Sequence, residues 1–516
     1  MTARPGYSRG GLRGGPIDWL KALIARWGGG GRSYRSAAAP AGDAPADFAA
    51  DATAYFAPER DNAASSGGFP SFQSSATDRV EARVADNLAN LRVKLRNAYT
   101  PSVPVIDRRR FAGRSVLLNT VVRALEEQRM HVIVFGDRGI GKTSLLHVLS
   151  QAARDARYIV VYISCGEGSD FDGTIRTVFS EIPLLYHTSV SLSAAQAEKG
   201  RNLTELLEEG PATARQAAEV LAKLTGTRVL VILDEFDRVE SKDFRREMAE
   251  LIKNLSDRSA RAQLIIAGVA TDATELFEYI PSIRRNVVPL QVPQMASEEV
   301  LQIIHNGEQS SGITFEPEAV DFVLFLANGS PYLTNLLSHH SASAALDREA
   351  VNVAPGDVSG GAERTAAELE ARVSRRTLQQ LDHVVHDNTR EILGMLAGPA
   401  LFSGGQFTVA DVRALYTAEA DVEKCLTHIE GLAAQSLLVE VRGEGPFKAY
   451  RFLDDGLHAY LWVKTAQQRF ERTHGLKSGS VGQSAMSDAR TSIGAHLMSD
   501  GEMCAPAEAV SPGASK

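Results

Sequence analysis

Between residues 105 and 295, short apolar runs alternate with stretches of helical periodicity. The runs are His131–Phe135, Tyr158–Ile163, Val229–Leu233, Leu264–Ala267 and Val287–Val292. They are almost continuously apolar, so they predict strands buried on both faces rather than half-exposed hairpins. The helical stretches between them predict parallel crossovers. Together they predict an α/β three-layer domain around a parallel sheet.

The pattern changes on either side. Residues 1–78 are rich in Gly, Ala, Ser and Pro and poor in branched aliphatics, which predicts disorder because too little apolar surface is available to offset chain entropy. One stretch, 17–27, is an exception. Ile17, Leu20, Leu23, Ile24 and Trp27 fall on one helical stripe amid basic residues. Such a helix either docks weakly on a protein or an anionic membrane surface, or packs weakly on its own chain or stays unformed. Residues 79–104 read as a charged helical linker, 296–350 as a helical lid and 351–384 as a linker helix. The tail, 469–516, is again Gly/Ser/Ala-rich and predicted disordered.

The first apolar run leads directly into Gly136-Asp137-Arg138-Gly139-Ile140-Gly141-Lys142-Thr143, the G-x-x-x-x-G-K-T pattern. Glycines allow consecutive backbone N–H groups to curl around phosphate oxygens, Lys142 adds a positive charge, and Thr143 offers a hydroxyl to Mg2+. The amphipathic stretch that follows aims the positive end of a helix at the same place. The third run ends in Leu233-Asp234-Glu235. Asp234 at a strand tip is suited to holding the Mg2+ water shell, and Glu235 to polarising an attacking water. Asp237 follows one turn on as a secondary acid.

Composition narrows the function. Fifty-five basic and 63 acidic residues give the 516-residue chain a formal charge of −8, which counts against a dedicated nucleic-acid coat. Cys165, Cys425 and Cys504 are far apart and lack metal-ligand spacing, so neither a disulfide scaffold nor structural zinc is expected, and a reducing, cytoplasmic setting is. No apolar run approaches the roughly 18–20 residues of a membrane span.

With these motifs in order, the chain resembles AAA-type P-loop ATPases of the branch that includes origin-recognition-like, transposition-associated and STAND ATPases. Phe111-Ala112-Gly113-Arg114 resembles that branch's F-x-G-R entry, which implies that Phe111 and Arg114 lie near the nucleotide. The resemblance implies ATP and Mg2+ as ligands, with 136–143 and Ser144 at the phosphates. It also implies a sensor at Thr271 or Asp272 beyond the fourth run, although either residue would equally cap the next helix. Arg285 or Arg284 would be an arginine finger in an oligomer, or simply a surface pair. Gly329-Ser330-Pro331 resembles the G-x-P element of STAND ATPases. No Arg stands in that stretch, which favours slow turnover and a nucleotide switch.

Residues 389–401, 408–417 and 420–435 predict three helices, followed by two short strands, 437–442 and 449–453. This is a winged-helix pattern within 385–468. Its third helix carries Asp421, Glu423 and Glu430 against Lys424, while the wing has Arg442, Lys448 and Arg451. Protein docking or autoinhibition is favoured over DNA reading. The expected function is an ATP-driven conformational switch, with a protein partner or homo-oligomer. The alternatives are a DNA-binding initiator- or transposition-type adaptor and an oligomerising signalling scaffold.

Overall fold

The computed structural model describes residues 87–475, apart from 190–199, 271, 278–282, 385–386, 417–418, 435–436, 442, 444 and 446–447. The amphipathic stretch at 17–27, the low-complexity arm before residue 79 and Cys504 lie outside the described residues.

Five of the apolar runs form one parallel sheet: β1 (His131–Gly136), β2 (Ile159–Ser164), β3 (Val229–Asp234), β4 (Ala262–Val269) and β5 (Val287–Gln291). Their spatial order is β2-β3-β4-β1-β5. Strand alternation divides the core in two. Val132 and Val134 of β1 pack on one face with Leu230, Ile232 and Ile265. Ile133 and Phe135 face the other way with Val231, Leu233 and Ile266.

Each face is covered by helices with apolar stripes. On the first lie α2 (Ser115–Glu126) and α3 (Lys142–Asp155), which bury Val121, Leu125, Leu145, Leu146 and Leu149. On the second lie α4 (Phe171–Ser180), α5 (Ala214–Leu221) and α6 (Lys242–Asp257), which bury Phe179, Leu221 and Met248. At about 1.5–3 kcal/mol for each large aliphatic side chain removed from water, this two-sided burial fixes the sheet. Caps define the helix starts: Thr213 and Gln216 form a capping box on α5, and Ser241 Oγ accepts from Phe244 N on α6. A short helix, α7 (Ala273–Leu276), follows β4.

After β5 the chain builds a helical lobe from α8 (Ser297–Ser311), α9 (Pro317–Ala327), α10 (Pro331–Asp347) and α11 (Pro355–Glu370). A two-stranded parallel pair, β6 (Thr314–Phe315) and β7 (Asn352–Val353), closes it. The segment read as a linker before residue 105 forms a helix, α1 (Asn87–Ala98), packed against α8 and α10. Tyr99 follows it, buried, and donates to Ile304 O at 2.9 Å. A Cβ at Gly307 would fall 2.0 Å from the Tyr99 ring, so the lobe is shaped to admit this tyrosine. The segment read as one linker helix contains β7, α11 and α12 (Arg375–Val384).

The last module runs α13 (Asp387–Ala400), β8 (Gln406–Thr408), α14 (Val409–Leu415), α15 (Glu419–Ala434), β9 (Leu438–Val441), β10 (Ala449–Phe452) and α16 (Leu457–His474). Its sheet has three antiparallel strands in the order β8-β10-β9, one more than the sequence pattern suggests. β8 was missed because three residues carry too little periodicity to separate a strand from a loop. Helix α16 also continues past 469, where the composition suggested a tail. It binds the module to the lobe. Trp462 Nε1 donates to Leu326 O at 2.8 Å, and Phe470 stacks on Phe322 with centroids 4.0 Å apart.

Candidate functional site at the carboxyl ends of the strands

The loop between β1 and α3 needs backbone angles that most side chains resist. Gly139 and Gly141 adopt φ values of 75° and 93°. The turn also draws Lys142 inward, where its Nζ donates to Gly136 O and Asp137 O, both at 2.8 Å. Burial lowers the Lys142 pKa to about 8, opposed by the charges of Asp237, Asp137 and Asp234. A buried cation held only by loop carbonyls, at the N-terminus of a helix, is poised for an anion that would satisfy both. Ile140 is buried and anchors the loop, whereas Arg138 is exposed. Thr143 is half-buried in the first turn of α3, and Ser144 Oγ accepts from Val105 N at 3.0 Å.

At the tip of β3, Asp234 is buried. Its Oδ2 accepts from Tyr162 Oη at 2.6 Å and its Oδ1 from Glu235 N at 2.9 Å. Tyr162 in turn stacks on His147 of α3, with ring centroids 4.7 Å apart. Glu235 takes a left-handed backbone angle, φ 55°. Its Oε2 accepts from Ser164 Oγ at 2.9 Å and from Arg238 at 3.1 Å. Asp237 stands closer to the centre than its sequence position suggested. Its Oδ1 accepts from Val269 N at 2.8 Å, and its charge is the largest electrostatic influence favouring protonated Lys142. Burial, reinforced by these three acids, pushes the Cys165 thiol up to about 12 and keeps it protonated.

Three more segments converge on the loop. Phe111 packs against the sheet core, and Arg114 is buried with its N donating to Glu299 of α8 at 2.6 Å. Burial lowers the Arg114 pKa to about 10, opposed by Glu299. Its guanidinium lies 3.4 Å from where a Cβ on Gly141 would stand. Pro331 and Tyr332, at the start of α10, sit 3.6 Å from the corresponding positions on Gly141 and Gly139. No arginine stands in the sequence stretch around Pro331, but the fold supplies two from afar. Arg114 is one. The other is Arg372, whose guanidinium hydrogen-bonds the Tyr332 hydroxyl and lies 5.6 Å from that ring's centroid.

The third segment comes from the last module. In the turn after α13, Gly404 N donates to Asp137 Oδ1 at 2.7 Å, and Phe402 packs on the sheet core. Burial raises the Asp137 pKa against the pull of this bond and of Lys142.

The remaining predicted residues stand apart from this centre. Thr271 lies outside the described residues. Asp272 caps α7, its Oδ1 accepting from Thr274 N at 2.8 Å, and these contacts lower its pKa. Arg284 and Arg285 are exposed on the turn before β5. Sequence reasoning missed Tyr162, Ser164, Arg372 and Gly404, because each acquires its role only through pairing across elements. Among the described residues, no group of three or more metal-ligating side chains is found and no helix is long and apolar enough to cross a membrane.

A parallel 2-3-4-1-5 sheet with a glycine loop, a buried lysine and an acidic strand tip at one edge defines a P-loop NTPase of the AAA/STAND type. The family model of novel STAND NTPase 1 matches residues 104–444, well over half of the chain, and the chain belongs to that family. No curated protein matches it significantly. Among solved structures it is similar to Cdc6p of Pyrobaculum aerophilum, at 15% identity over 73% of this chain and 98% of that one, with a TM-score of 0.39. The Walker-type ATPase of Pyrococcus abyssi is similar at 15% identity, 70% and 98% coverage and a TM-score of 0.40. The Aeropyrum pernix ORC2 protein gives 15%, 72%, 99% and 0.39.

Proposed function

We propose that the chain binds ATP with Mg2+ at the 136–143 loop, hydrolyses it slowly, and uses the change to release or seat its last module. The donor sets support this. Glycine N–H groups and a buried ammonium suit phosphate, and the Thr143 hydroxyl and Asp234 carboxylate are the hard oxygen ligands that magnesium prefers. When bound, magnesium would neutralise phosphate charge. Glu235 would orient the attacking water once its bonds to Ser164 and Arg238 loosen; while they hold, its carboxylate is engaged elsewhere. That restraint agrees with slow turnover.

The observation that carries the switch is the 2.7 Å bond from Gly404 N to Asp137 Oδ1. It ties the last module to a residue inside the phosphate loop, so a ligand that moves the loop acts directly on the module. We read that module, with the three helices α13–α15, its three-stranded sheet and the closing helix α16, as a winged helix. The test is the distance between labels at exposed Gln151 and Ser403 in ADP and in ATP, in a Glu235→Gln background. Lengthening in ATP supports the switch; an identical distance with both nucleotides bound overturns it.

Duplex binding through the wing draws less support. Lys448 is paired with Glu430 at 3.2 Å and Glu440 at 3.4 Å, so its charge is largely neutralised within the module. A protein partner or a second copy of the chain remains the favoured target of the released module.

A further inference from the structure

The opposite edge of the sheet holds a second charged feature. An arginine precedes each of four strands: Arg157 before β2, Arg228 before β3, Arg261 before β4 and Arg129 before β1. The strand order places them consecutively, 157-228-261-129. At about 4.8 Å between neighbouring strands, the row spans about 14 Å. It flanks two adjoining clefts. One, of about 400 Å3, is lined by Glu126, Arg157, Tyr158, Thr227, Arg228 and Arg261. The other, of about 140 Å3, is lined by Arg129, Arg228, Ser259, Arg261 and Gln263.

Part of this charge is already balanced. Arg228 donates to Glu126 at 2.6 Å and to Tyr158 Oη at 2.8 Å. The carboxyl ends of α2, α3 and α6 also point this way and favour nearby cations. Arg129, Arg157 and Arg261 are exposed and have no side-chain ion pair or hydrogen bond among the described residues. A further group points to a ligand. Gln263 is 4% exposed, and its Nε2 donates to Leu125 O at 2.9 Å, yet its Oε1 has no partner. A buried acceptor without a donor is costly, and Gln263 lines the smaller cleft.

We propose that these clefts form a binding site, separate from the phosphate loop, for a small multiply phosphorylated nucleotide. The arginines match phosphates, because guanidinium forks bind phosphate oxygens bidentately. The Gln263 acceptor matches a sugar hydroxyl or a base amine, which inorganic phosphate and polyphosphate chains lack. The larger cleft, at about 400 Å3, is of a size for one nucleotide rather than a long strand, and the smaller one beside it adds room for a single group. This edge is remote from Lys142 along the strands, so a ligand held here would leave the phosphate loop free.

The test is equilibrium binding of fluorescent adenosine 3′,5′-bisphosphate to the full chain, with inorganic tripolyphosphate and a single-stranded oligonucleotide as competitors. Binding should survive Lys142→Ala and weaken at least about tenfold in the Arg129→Gln/Arg261→Gln double variant. Both arginines are exposed, so this variant should keep the parent's thermal unfolding midpoint. Gln263→Met should weaken the bisphosphate severalfold and leave tripolyphosphate unchanged. Loss of binding in Lys142→Ala with none in the double variant would assign the probe to the phosphate loop and overturn the proposal. An oligonucleotide that outcompetes the bisphosphate through these arginines would overturn it in favour of nucleic acid. Equal weakening of bisphosphate and tripolyphosphate by Gln263→Met would remove the nucleotide class and leave only an anion site.

Discussion

A buried base stands at the start of strand β1 and another at the end of the loop that follows it, and they behave differently. At its start, His131 is buried and its Nδ1 accepts from Leu264 N at 2.9 Å. Burial lowers its pKa to about 4, so at neutral pH it is an uncharged acceptor. Just past the other end, Lys142 is buried among three acids and loop carbonyls, with its pKa lowered only to about 8. One base gave up its charge to complete a sheet. The other keeps its charge because acids surround it, and its two carbonyl partners leave a donor free. A buried group with its bonding completed by its own fold is structural, while one left with surplus charge is available to a ligand.

The largest expected effect falls at the lysine end. Lys142→Ala should weaken ATP binding by about three orders of magnitude, the scale of losing several charge-assisted hydrogen bonds to phosphate. Titration with a fluorescent ATP analogue would read it, and retained affinity would remove the loop from nucleotide binding. Next comes Glu235→Gln. It should cut steady-state phosphate release about a hundredfold while ATP stays bound, as expected for losing a general base. Undiminished turnover would leave Glu235 with only its bonds to Ser164 and Arg238.

At the histidine end the expected effect is on stability. The unfolded chain takes up a proton on His131 near pH 6.5, whereas the folded chain resists until about pH 4. Stability from this group is therefore complete above pH 6.5 and lost as pH falls towards 4, by about 3 kcal/mol at most. Urea unfolding at pH 7 and pH 4.5 should show the parent losing about 2–3 kcal/mol more than His131→Gln, which cannot titrate. Equal losses would place the acid sensitivity elsewhere. Lys142 reverses the reading. As pH rises through its folded value of about 8, its ammonium is lost, so ATP affinity should fall about tenfold between pH 7 and 9. A flat profile would mean that the lysine charge is not what holds the phosphates.

The two ends were also unequally legible. Residues 136–143 announce their chemistry because a single loop must supply glycines, lysine and threonine consecutively, so spacing along the chain is spacing in space. Asp234 and Glu235 were readable for the same reason, at the tip of a recognisable strand. The arginine row was not, since its members are scattered from 129 to 261 and meet only when the strands order as β2-β3-β4-β1. Asp272 shows the limit from the other side. Its type and position suit a sensor, and the fold uses its carboxylate to cap a helix. Whether Thr271 shares that fate lies outside the described residues.

The smallest effect tests the link between the lysine end and the last module. Asp137 is variable in kind within the loop pattern, so its side chain is free to serve something other than phosphate. Here it holds Gly404 N at 2.7 Å, and Phe402 beside that turn packs on the sheet core. One such bond is worth about 1 kcal/mol, which corresponds to about a fivefold change in rate. Asp137→Ala should therefore speed release of a fluorescent ADP analogue about fivefold, and Asp137→Asn, which keeps an acceptor oxygen, should stay close to the parent. If the alanine variant released ADP at the parental rate, the module would rest on the loop without governing it. The switch would then have to act through α16 and the helical lobe, where Trp462 and Phe470 make the larger contacts.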